Sequence, residues 1–239
     1  MTFGAAVISA VVGVVVTMGG DEVIEGRSLP VAIRLHDDPA QIPAFSDTSM
    51  RMLVPARPQA AVPVPRRDMC SGGFRSWALR LGGSDSEETR VRLDLQGRST
   101  KGVLISSLTA RIVAVHPSPA VVGVGCDSAG SASPRDLSID LDSARPTARY
   151  LVKGRREPFG FTLAKAETEV FNITAYTRRP VVIEWRLHLD LTVDGKSRPI
   201  EIDDHGKPFR TSAAPAERQY TWQYDGWHDH EKPVADPFG

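Results

Sequence analysis

Cysteine is scarce in this 239-residue chain, and so is surplus charge. Only Cys70 and Cys126 are present. Two thiols cannot complete a tetrahedral zinc site by themselves, and no Cys-x-x-Cys pairs them for redox chemistry. Lys and Arg number 29 and so do Asp and Glu, for a formal net charge of zero. A phosphate binder needs an excess of positive potential, so the balance argues against a nucleic-acid partner. No GxSxG elbow, SxxK or HExxH occurs, and Gly123-Val124-Gly125-Cys126-Asp127-Ser128 lacks the third glycine of a dinucleotide fingerprint. The sequence therefore offers no catalytic residues, no metal ligands at a diagnostic spacing and no cofactor.

The first twenty residues carry no charge, and no Lys or Arg precedes Arg27. Val7, Ile8, Val11, Val12 and Val14 to Val16 make the stretch apolar, and as a helix it would reach about 30 Å, the thickness of a bilayer's hydrocarbon core. A secretory signal peptide would require a basic start and a small-residue cleavage site, and a buried strand or helix is the third reading of the run. The expectation is a transmembrane anchor over residues 1–20, with the bilayer as its partner. The arrangement expected is N-terminus inside and the bulk of the chain outside. Residues 21–72 then read as a Pro-rich linker holding one strand, Pro30 to His36, because prolines at 39, 43, 55, 58, 63 and 65 cannot run through a helix or central sheet.

Beyond the linker the pattern is almost entirely of period two. Gly73 to Gly82 spaces Phe74, Trp77, Ala78 and Leu81 as a short amphipathic helix with a glycine stop. After it Val91, Leu93 and Leu95 alternate with charged residues, Leu108, Ala110 and Ile112 begin the next run, and Leu137, Ile139 and Leu141 alternate with Ser138 and Asp140. The clearest strand has Val181, Ile183, Trp185, Leu187, Leu189, Leu191 and Val193 on one face and Glu184, Arg186, His188 and Asp190 on the other. Asp194-Gly195 follows with the chemistry of a tight hairpin turn. Short strands with turns between them predict a mostly β fold over residues 73–227, an antiparallel β-sandwich of immunoglobulin-like architecture, ahead of a polar tail at 228–239.

Several residues invite a site. Cys70 and Cys126, each beside turn formers, are expected to form a disulfide if the domain lies outside the cytoplasm. Tyr220, Trp222, Tyr224 and Trp227 are candidates for a platform on which a sugar ring or peptide stacks, against the plainer reading of a last strand that closes the sandwich. His228, Asp229, His230 and Glu231 in the tail, and Asp203, Asp204 and His205 in a turn, carry ligand atoms for a divalent ion. Such residues are ordinarily solvated, and no metal site is assigned to them from sequence.

Arg75-Ser76-Trp77-Ala78, Leu95-Gln96-Gly97-Arg98-Ser99, Asp140-Leu141-Asp142 with Arg145-Pro146, and above all Ile202-Asp203-Asp204-His205-Gly206-Lys207-Pro208-Phe209-Arg210-Thr211-Ser212 resemble segments of a group of uncharacterised, membrane-anchored actinobacterial proteins. The resemblance implies one N-terminal membrane segment and an exported β-rich domain, with no assigned activity. The corner at Asp203 to Arg210 reads as structural, with Phe209 in the core and Arg210 on a carboxylate. The function expected is a membrane-anchored module for binding, sensing or scaffolding at the cell envelope, its partner a protein or envelope polymer. The alternatives are an envelope hydrolase using Asp203 and Asp204, and a glycan-binding module using the C-terminal aromatics.

Overall fold

The structure is a computed structural model, and it describes residues 14–16, 29–45, 49–58, 69–126, 136–152, 155–157, 159–223, 226–229 and 232–234. The elements, in chain order, are β1 (Val14–Val16), β2 (Val31–His36), β3 (Met50–Pro55), α1 (Phe74–Arg80), β4 (Ser84–Ser86), β5 (Glu88–Gly97), β6 (Val103–Pro117), β7 (Val121–Cys126), β8 (Asp136–Asp140), β9 (Arg149–Val152), β10 (Arg155–Glu157), β11 (Phe161–Leu163), β12 (Thr168–Tyr176), β13 (Val181–Val193), β14 (Lys196–Ile202), β15 (Phe209–Ser212), β16 (Gln219–Gln223), β17 (Gly226–Asp229) and β18 (Lys232–Val234). The smaller sheet runs β10-β9-β8-β12-β5-β2. The larger runs β1-β14-β13-β15-β4-β3-β7-β16-β17-β18, with β6 on the other flank of β13 and β11 beyond it.

The alternation in β13 builds the main core. Trp185, Leu187, Leu189 and Leu191 are fully buried and meet Val91, Leu93, Leu95 and Ile173 of the smaller sheet, while the intervening polar residues face out. Strand β13 pairs with β6 along its whole length, from Val181 opposite Pro117 to Val193 opposite Val103. Its other flank divides, Leu187–Val193 pairing with β14 and Val182–Trp185 with β15. Asp194 and Gly195 take φ of 53° and 71°, the two left-handed positions of the expected hairpin turn.

Beyond β15 the larger sheet leaves the sandwich and forms a second core. Here α1 lays Phe74, Trp77, Ala78 and Leu81 on Met52, Val54, Val122, Val124, Tyr220 and Trp227. The helix stops where Gly82, at φ 84°, takes the left-handed conformation that β-carbons disfavour.

Three expectations change. Residues 21–72 hold a second strand, β3, inserted centrally between β4 and β7. It fits because Met52 to Val54 is free of proline and apolar on both faces, Pro55 falling at its end. Pairing is mixed and not purely antiparallel, since β8–β12, β4–β15, β7–β16 and β1–β14 run parallel. The described part of the 228–239 tail, which the sequence suggested was merely polar, extends the sheet as the end of β17 and as β18.

Of the stretch expected to be a transmembrane helix, residues 1–20, only Val14–Val16 are described. They are extended, pairing in parallel with Ile200–Ile202, the conformation that β-branched side chains favour. The rest of that stretch lies outside the described residues. No helix among the described residues is long and apolar enough to cross a membrane.

Candidate functional site

The Asp203-Asp204-His205-Gly206 turn lands at the junction of the two cores. Asp204 and Lys207 exchange backbone hydrogen bonds of 2.8 and 3.0 Å, which closes a two-residue turn. His205 and Gly206 fill its left-handed positions, with φ of 53° and 84°. Asp203 accepts the Gly206 amide at 2.9 Å and lies 3.6 Å from Arg186. Asp204 faces inward, where its Oδ2 accepts from Arg75 at 2.9 Å.

Arg75 is the hub. It sits within the apolar arc of α1 and is 1% exposed. Its Nε and Nη2 donate to the two oxygens of Asp85 at 2.9 and 3.0 Å, the two-pronged geometry a guanidinium fits best. Nη2 also donates to Asp204, and Nη1 donates to Asp37 at 3.2 Å. Three segments far apart in sequence, the end of β2, strand β4 and the β14–β15 turn, thus meet on one side chain of α1.

The hydrogen bonds that lead away from this hub have a fixed direction. The Trp185 indole donates to Thr211 Oγ1 at 2.9 Å, and Thr89 donates to Asp85 Oδ2 at 2.8 Å. The Thr89 proton being spent on Asp85, the 2.6 Å contact between the two hydroxyls must be a donation from Thr211 to Thr89. A one-way chain therefore runs from the floor of the main core to Asp85 on β4, which also accepts from Arg75 of α1. Such a satisfied chain specifies one arrangement of the sheets it joins.

Charge is unbalanced at the hub. One guanidinium faces the carboxylates of Asp37, Asp85 and Asp204. Burial opposes the charge on Arg75, but Asp85, Asp204 and Asp37 hold its pKa well above the usual value. Burial pushes the Asp85 carboxyl up, against the lowering effect of Arg75 and Thr89. His205 Nε2 lies 2.9 Å from Asp37 Oδ2 and 3.9 Å from Asp204 Oδ1. Ligand atoms of Asp37, Asp204 and His205 all fall within 4.8 Å of one another. A cavity of about 340 Å³ opens beside them, lined by Asp37, Asp38, Gln41, Arg75 and His205.

A second concavity of about 380 Å³ lies on the larger sheet, on the face away from α1. Gly123 and Gly125 line it with Arg51, Arg90, Gln219 and Thr221. Arg51 donates to Gln219 across it at 3.4 Å. Glu87, also on its wall, is held at φ 64° by the bonds from its amide to Ser212 and from the Thr177 amide to its carbonyl, 2.7 and 2.9 Å. A non-glycine residue in this conformation costs about 1–2 kcal/mol.

The residues singled out from sequence fall as follows. Cys70 and Cys126 form a disulfide with Cα atoms 5.6 Å apart, joining the turn before α1 to the end of β7. Tyr220 and Trp227 are buried in the second core, and Trp227 packs tilted against Trp77 and edge-on against Trp222 at centroid distances of 5.6 and 5.1 Å. Trp222 is half-buried beside them, and Tyr224 lies outside the described residues, as do His230 and Glu231. Together these rings do not form an open platform among the described residues. His228 is buried in β17, and Asp229 ends that strand. Phe209 is buried against Trp185 at 4.7 Å, and Arg210 lies 3.6 Å from Glu184 and donates to the Gly82 and Gly83 carbonyls.

Asp37, Arg75, Asp85, Thr89 and the role of Thr211 were not singled out from sequence. One signal was present: an arginine inside the apolar arc of a helix needs a buried anion. Which anion was not legible, since its partners lie 10, 38 and 129 positions away. No family model matches the chain, and no curated protein matches it significantly.

Proposed function

We propose that this chain is a non-catalytic binding or scaffolding module of the cell envelope. In this reading it is an exported β-sandwich, immunoglobulin-like in layout, tethered to the bilayer through residues 1–20. The observation that carries the reading is the Cys70–Cys126 disulfide, because such bonds persist in oxidising compartments and are rare in the cytosol. The uncharged N-terminal run and the resemblance to exported, anchored proteins support the same address. A span through lipid requires Val14–Val16 to leave β14, so tethering and β1 pairing are alternative states of one segment.

The groove at Gly123 and Gly125 is the binding face in this proposal. Its arginines, carboxylates and amide suit a polar chain with donors and acceptors of both kinds, such as an envelope polymer or an extended peptide. Asp203 and Asp204 are buried and occupied by Arg186, Gly206 and Arg75, an arrangement unlike a pair of carboxylates facing an open cleft. The test is retention of the purified full chain on isolated cell-wall material. Wild type is expected to be retained, and Arg51→Glu with Thr221→Arg to be retained at least tenfold less. Equal retention of both forms, or of neither, contradicts the groove's role.

A further inference from the structure

We propose that Asp37, Asp204 and His205 bind a divalent transition-metal ion of the zinc class, with the ion's remaining positions open toward the adjoining cavity. The inference is independent of where the chain resides. Donor chemistry and distance both point to it. Two carboxylates and one imidazole hold ligand atoms within 4.8 Å of one another, close enough for small side-chain shifts to bring all three onto an ion bonded at about 2.0–2.2 Å. The imidazole selects a transition ion over Ca2+ or Mg2+, which prefer oxygen alone.

Two further observations point to a cation. Asp204 is 6% exposed, and although Arg75 occupies its Oδ2, its Oδ1 accepts no hydrogen bond among the described residues. That oxygen lies toward His205 Nε2, at 3.9 Å. The cluster also has three carboxylates for one guanidinium, an excess of negative charge in a largely buried place. Arg75 repels an incoming ion, but it also pins Asp204 by the other oxygen and so presents Oδ1, as outer partners orient metal ligands. The ion would replace the hydrogen bond between His205 and Asp37, and the cavity lined by Gln41 and Asp38 supplies room for water or a further ligand. His205 and Asp204 are adjacent in the turn, whereas Asp37 comes from the end of β2, so the ion would cross-link the two sheets.

The experiment is calorimetric titration of the full-length, metal-stripped protein with Zn2+, with Mg2+ and Ca2+ as comparators, together with the visible absorption of Co2+ as a ligand-field probe. Expected are one Zn2+ per chain, no saturable Mg2+ or Ca2+ binding, and a Co2+ spectrum that is lost in His205→Gln. His205→Gln is expected to weaken Zn2+ binding at least tenfold, as is Asp204→Asn, while His116→Gln on exposed β6 leaves it unchanged. His205 is partly exposed, so its variant remains informative if Asp204→Asn fails to fold. Absence of stoichiometric Zn2+ binding, or affinity unchanged in His205→Gln, overturns the proposal.

Discussion

At the scale of single residues, Arg75 decides how the two halves of the molecule are joined. Its guanidinium satisfies three carboxylates, two of them buried, so removing it strands negative charge where water cannot reach. Loss of one partner from a buried ion pair costs about 3–5 kcal/mol. Arg75→Met should therefore lower the free energy of unfolding by about that amount in denaturant titration, and a loss under 1 kcal/mol would show the network to be dispensable. Asp85 carries a pH signature of its own. Its pKa is raised in the folded state, so the folded protein binds more protons than the unfolded chain in that range. The contribution is fully present below the unfolded carboxyl value of about 3.9 and is lost as pH rises through the folded value. As pH falls from neutrality toward that value, wild type should gain stability relative to Asp85→Asn in chemical unfolding. A gap that moved the other way would mean that Arg75, not burial, dominates the carboxyl.

At the scale of elements, legibility followed periodicity. Strand β13 could be read because its residues alternate without interruption from Ile183 to Val193, and the Asp194-Gly195 turn because its chemistry is local. Helix α1 showed its spacing and its glycine stop. Strand β3 could not be read: Met52, Leu53 and Val54 are buried in succession because both faces of the sheet are covered there, which erases the alternation. The parallel partners escaped for a different reason, since β7 and β16 or β4 and β15 meet only through the fold and no local signal pairs them. The tail aromatics had two readings, and the second core was invisible because it needs β3 and α1 together. The disulfide ties that core to the turn before α1 and closes a loop with a sequence separation of 56. By loop-closure entropy it contributes about 4 kcal/mol. Cys70→Ala should lose most of this in unfolding experiments, and reduction of wild type should reproduce the loss. No change on reduction would mean that the second core holds α1 without it.

At the scale of the whole molecule, two open sheets share a core, and one of them runs on to build a smaller core under a single helix. The hub of Arg75 and the threonine chain lie where these two cores meet, and the disulfide closes the smaller core. That arrangement gives a stiff frame for the groove on the larger sheet, and the strained Glu87 on its wall is the kind of outlier found at binding sites. The compartment remains the claim on which the proposed role depends. It is tested most directly by trapping thiols with an alkylating reagent in intact cells and shaving the same cells, with the outer layers opened, using an external protease. The account predicts that Cys70 and Cys126 resist alkylation until reduced and that the β-rich domain is removed from the membrane fraction by the protease. Both thiols alkylated at once, in a protein that stays protected and soluble in the cytosol, would contradict it.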